Sequence, residues 1–134
     1  LGKLTGRNDY LEAARSALES AVGVMRQSPT AAGQMLIAAD MFFGPMKEIV
    51  ITGASDEETA QAANSLARRW IPNRVIAARA NAEANLSSHL DPLFNGKWPV
   101  AGATTVFVCE NFVCQSPVSG AESIEALWDE LKSN

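Results

Sequence analysis

The chain has 134 residues, 47% of them hydrophobic, with 15 acidic against 11 basic side chains and a formal net charge of −4. This excludes a disordered chain and suffices for one core, and an acidic balance without a basic cluster makes nucleic acid and anionic membranes poor partners. No apolar run reaches the roughly 20 residues that span a bilayer, no signal-peptide pattern is visible, and two cysteines are too few for a secreted disulfide scaffold, so a cytoplasmic location is expected.

Leu1–Gly6 reads as the end of a helix followed by a turn. With no initiating methionine, the chain is expected to be part of a longer polypeptide. Asn8 or Asp9 is placed to cap a helix running from about Asp9 to Arg26, in which Leu11, Ala14, Leu18, Ala21, Val22 and Met25 recur at helical spacing. Ser28-Pro29-Thr30 interrupts the chain, and a second helix is predicted from about Pro29 to Phe43. Only Gln34 and Asp40 are polar along its body, so it must be buried on most sides. Either neighbouring helices or a second copy cover it, or the α/β unit that follows does. Its aromatic end, Phe42 and Phe43, is a candidate for such contacts.

Gly44-Pro45 marks a boundary, dividing residues 1–44, a helical hairpin, from residues 45–134, an α/β region. Glu48–Thr52 reads as a strand. Ser55 with Glu58 three residues on forms a capping box opening a helix whose buried stripe is Ala63, Leu66, Ala67 and Trp70. Arg74–Ala78 is a second strand, which makes a βαβ unit with parallel strands. Asp56, Glu57 and Glu58 occupy the positive end of the intervening helix and repel a phosphate there, and no glycine-rich nucleotide fingerprint is present, so no cofactor is expected. A helix is predicted around Ala82–Leu90, ending before Pro92, and His89 within it has no partner at metal-ligand spacing. Trp98, in the loop Asn95–Gly102, is read as an anchor, onto the core or onto a neighbouring surface.

Thr104–Cys109 carries the strongest strand signal in the chain, a β-branched and aromatic run that reads as buried on both faces. Phe112–Gln115 is read as a returning strand that Pro117 ends or confines to an edge. A two-residue turn at Asn111-Phe112 sets Cys109 directly opposite Cys114, with Cα atoms about 4.5 Å apart, within the span a disulfide tolerates. A four-residue loop, Glu110–Val113, is the alternative. Three states fit the pair: two packed, reduced cysteines, which is the reading preferred here; a structural or regulatory disulfide; or a redox or metal role, against which the C-x4-C spacing and the lack of a second ligand pair both count. Ser119 is placed to cap a last helix with Ile124, Leu127, Trp128 and Leu131 on its apolar stripe.

The run Val108-Cys109-Glu110-Asn111-Phe112-Val113-Cys114-Gln115-Ser116-Pro117-Val118 resembles the C-terminal signature of the thioredoxin-domain-containing proteins typified by spermatogenesis-associated protein 20. Glu48–Gly53, Arg74-Val75-Ile76 after Ile71-Pro72-Asn73, and Leu4-Thr5-Gly6 with Tyr10 extend the likeness across the chain. Relatives often place a proline just before the third strand, where this chain has Ala103-Thr104-Thr105. The resemblance implies a full-length protein with an upstream thioredoxin-like domain and an (α/α)6 toroid similar to N-acylglucosamine 2-epimerases, of which residues 1–43 would be the last helical hairpin. It implies no catalytic, cofactor or metal residue in this segment. The expectation is therefore an α/β fold with a mixed sheet, a β-hairpin and a C-terminal helix, acting as a non-catalytic structural and interaction region. Its partners would be the upstream domains of the same polypeptide or a second copy. The alternatives are a thiol-redox module using Cys109 and Cys114, or part of a sugar epimerase-like or isomerase-like enzyme.

Overall fold

The computed structural model describes residues 1–80, 89–110 and 113–133. Its order is α1 (Gly2–Thr5), α2 (Asn8–Gln27), α3 (Gly33–Phe43), β1 (Lys47–Gly53), α4 (Asp56–Ala67), β2 (Arg74–Ala80), α5 (Asp91–Phe94), β3 (Thr105–Glu110), β4 (Val113–Cys114), β5 (Val118–Ser119) and α6 (Ala121–Ser133). The fold is α/β, with a mixed sheet ordered β2-β1-β3-β4 and β5 also pairing with β3. The helix expected around Ala82–Leu90 lies almost wholly outside the described residues.

Strand β1 is central because its residues are apolar on both faces. It pairs in parallel with β2, Ile49 beside Ile76, as the βαβ reading requires. On its other side it pairs antiparallel with β3, Ile51 beside Val106. Side chains alternate across a strand, so the two faces carry separate cores. Ile49 and Ile51 meet Leu66 of α4 and Ile124, Leu127, Trp128 and Leu131 of α6. Val50, Phe107 and Cys109 face the opposite way, under Leu93 and Phe94 of α5 and Leu4 of α1. Among the described residues, one face thus has two full helices over it and the other two single-turn helices.

Polar contacts lock α4 to α6. The guanidinium of Arg69 donates to Glu125 (2.6 Å), to Asp129 (3.2 Å) and to the carbonyl of Ser65 (2.8 Å). At the start of α4 the Ser55 hydroxyl accepts from the Glu58 backbone N–H at 3.3 Å, the expected cap. The Glu58 carboxylate does not close the box. It accepts instead from the Thr104 hydroxyl at 3.1 Å.

Several expectations change. Trp70 is not in the buried stripe of α4: the helix ends at Ala67, and the indole is 80% exposed. Thr59 and Ala62 take the buried positions with Leu66, and Ala67 is exposed. The second helix begins at Gly33, because Pro29–Ala32 forms turns ahead of it. Helix α2 has no side-chain cap from Asn8 or Asp9: Asp9 is held by the guanidinium of Arg7, two residues before it. Pro92 sits in the first turn of α5, where its missing N–H is harmless.

Glu110 pairs with Val113, the register that a two-residue connection requires, and the connecting residues 111–112 lie outside the described residues. Cys109 and Cys114 are directly opposite, with Cα atoms 3.9 Å apart, and their sulfurs are bonded to each other; the packed, reduced pair is replaced by a disulfide. Further along, Val118 pairs with Val106. Four steps of chain on the returning side therefore face three on β3, and the extra residue is accommodated as a bulge around Ser116-Pro117, where proline has no N–H to donate.

Candidate functional site

The thin face of the sheet gathers the chain's most unusual side chains. Glu48 and Cys109 are cross-strand partners on β1 and β3, so both project to the same face. Both are buried, Glu48 at 4% exposure and Cys109 at 2%, whereas Cys114, on the edge strand β4, is exposed. A cavity of about 190 Å³ opens here, lined by Glu48, Cys109 and Cys114 together with Lys3 of α1 and Lys97 beyond α5. The Lys97 ammonium is fixed by donation to the Leu93 carbonyl at 2.8 Å.

Burial raises the pKa of the Glu48 carboxyl above the ordinary glutamate value, and the positive charges of Lys3 and Lys97 only partly oppose this. The consequence for stability has a definite sign. The folded protein keeps the Glu48 proton to higher pH than the unfolded chain does. The associated stability is complete below the unfolded pKa, and it is lost as pH rises through the folded pKa. Glu48→Gln is therefore expected to raise the urea midpoint at neutral pH and to leave it unchanged in acid. Equal midpoint shifts at both pH values would show that the carboxyl is not titrating differently in the fold.

A larger cleft of about 490 Å³ lies on the other side of the sheet, at the carboxyl end of β1, between the starts of α4 and α6. Its walls include Glu58, Thr104 and Glu125, so an anion meets like charge. Among the described residues no three His, Cys, Asp or Glu side chains come together as a metal site.

The remaining candidates lie apart from the disulfide. Trp98 is not in the core; it is 53% exposed, with the Arg79 guanidinium 5.4 Å from its ring centroid. Phe42 is half-buried, beneath the Arg15 guanidinium at 5.3 Å, and its ring meets Phe43 edge-on at 5.0 Å. Phe43 is exposed, as are Leu36, Ile37 and Met41 on the same helix; no residue of α3 is buried. The α/β unit therefore leaves this helix uncovered. His89 is exposed.

Sequence reasoning missed Glu48, because a glutamate beside a β-branched run reads as the polar flank of a strand. The available signal was its even spacing with Val50 and Thr52, which assigns it to a face that the neighbouring strand makes buried. No protein family, curated protein or solved structure matches the chain.

Proposed function

We propose that this chain is a structural docking region whose helical hairpin, residues 1–44, packs against apolar helices of upstream domains in the same cytoplasmic polypeptide. The observation that carries this reading is α3, a helix apolar on nearly every side with none of its residues buried. Ile37 and Phe43 are 56% and 72% exposed, so each forfeits part of the roughly 1.5–3 kcal/mol that full burial contributes, and a covering surface is favoured. Helices of an (α/α)6 toroid, which the sequence resemblance implies, present such a surface. Trp98, exposed on the α/β unit, is a second candidate contact. Among the described residues no helix is long and apolar enough to cross a membrane.

The test uses the chain alone. It is expected to bind an apolar dye and to self-associate as concentration rises, by light scattering. Ile37→Glu with Leu36→Glu should abolish both effects while changing core stability by less than about 0.5 kcal/mol per site, as for other exposed positions. A compact monomer that binds no dye would remove the basis for docking.

A further inference from the structure

A disulfide beside a buried acid is a chemical arrangement, not only a staple, and it is independent of the docking reading. We propose that Cys109–Cys114 is a thiol–disulfide exchange site for an external dithiol, with Cys114 as the sulfur attacked and Glu48 as the proton donor to the departing Cys109.

Access selects the entry sulfur. Cys114 lies exposed on the two-residue edge strand β4, while Cys109 is 2% exposed beneath Leu93 and Phe94. A thiolate of the dithiol attacks the Cys114 Sγ. A sulfur–sulfur bond forms between the reagent and Cys114, and the Cys109–Cys114 bond breaks. The electron pair leaves with Cys109, whose sulfur is in a buried setting that disfavours a free thiolate. Glu48, its cross-strand partner, lines the same cavity and gives up its proton there. The resulting carboxylate faces Lys3 and Lys97, whose charges stabilise it. The second thiol of the dithiol, ionised, then attacks its own sulfur in the mixed disulfide. The dithiol closes to a disulfide, Cys114 leaves as a thiolate and takes a proton from water, and water also returns the proton to Glu48. Two electrons pass from the dithiol to the protein. Lys47 and Glu110, around Cys109 on the opposite side, are the other charged groups nearby.

The acid's location is the distinguishing observation. A disulfide serving only to pin the β3–β4 hairpin needs no buried carboxyl opposite its inner sulfur, and Glu48 is half of a cross-strand pair at that one position.

The test is the rate at which dithiothreitol reduces the intact chain, corrected for reagent thiolate, in wild type, Glu48→Gln and Glu48→Asp. Glu48→Gln is expected to be about tenfold slower in acid, the deficit shrinking as pH rises through the folded carboxyl's raised pKa; Glu48→Asp should recover part of the rate. Equal rates for wild type and Glu48→Gln at every pH would overturn the assignment of Glu48. Single-cysteine chains test the entry sulfur without altering Glu48. Oxidised glutathione should label Cys114 in Cys109→Ser about tenfold faster than Cys109 in Cys114→Ser, in keeping with access control of exchange. Equal or reversed labelling rates would overturn the choice of Cys114.

Discussion

Trp128→Ala is expected to destabilise the protein by about 3–5 kcal/mol, the range for emptying a large aromatic site in a core. Trp128 is fully buried, packed with Ile49, Ile51 and Leu66, and it is the largest of the fully buried side chains among the described residues. Its removal separates α6 from both the sheet and α4. The indole also carries a polar obligation: its Nε1–H donates to the Ser65 hydroxyl at 2.9 Å, and that hydroxyl in turn donates to the Ala62 carbonyl at 3.0 Å. Trp128→Phe keeps most of the volume and loses the donor, so about 1 kcal/mol of the total is expected from it alone. Urea denaturation measures both. The midpoint should fall with little change in slope if the folded and unfolded states keep their compactness. A loss under about 1 kcal/mol for the alanine variant would mean that α6 is not seated on the sheet as described.

Phe94→Ala is expected to be comparably severe, again about 3–5 kcal/mol, but on the opposite face. Phe94 is 2% exposed and packs with Val50, Phe107 and Cys109. The guanidinium of Arg79 lies 4.5 Å from its ring centroid, adding a cation–π contact. Because α5 is one turn long, no neighbouring helix among the described residues replaces the lost ring. The cover over Cys109 opens, and reduction of the disulfide is expected to accelerate as well. Phe94→Leu retains an apolar plug and loses the cation–π contact, at a cost of about 1 kcal/mol. Parallel melting and reduction-rate measurements distinguish the two effects. If Phe94→Ala left the reduction rate unchanged, α5 would not be what shields the inner sulfur.

Much of this fold is legible in the sequence, and the parts that are not fail for physical reasons. Strands β1, β2 and β3 declare themselves by β-branched runs, and α6 by a stripe of which Ile124, Leu127, Trp128 and Leu131 are all buried. Helices α1 and α5 are single turns, too short for any periodicity to register. Trp70 follows the spacing of α4, yet the helix stops before it reaches that residue; hydrophobic spacing does not say where a helix ends. Strand β5 is two residues long and bonded only because a bulge brings it back to β3. The cysteine spacing places the sulfurs near each other without saying whether they bond. The acid site is the least legible part. Lys3, Glu48, Lys97 and Cys109 come from four separate stretches, and only the registers of β1 and β3 and the seating of α1 and α5 bring them to one cavity.

The bulged return along β3 also bears on how the chain assembles. Cys109 and Cys114 are 5 residues apart, whereas the β1–β3 ladder joins Thr52 to Thr105 across 53. Hairpins of short span close in about 1–10 μs, while distant pairings bear a larger loop-closure entropy. The hairpin is therefore expected to form before the central ladder, so that Val106–Cys109, a segment suited to cross-β stacking, spends that interval with one edge already occupied by its own return. Pro117 and the extra residue twist that occupied edge away from flat pairing. A second nascent chain meets a single receptive edge instead of two, so growth of a stacked aggregate is blocked in one direction until β1 arrives to fill the other.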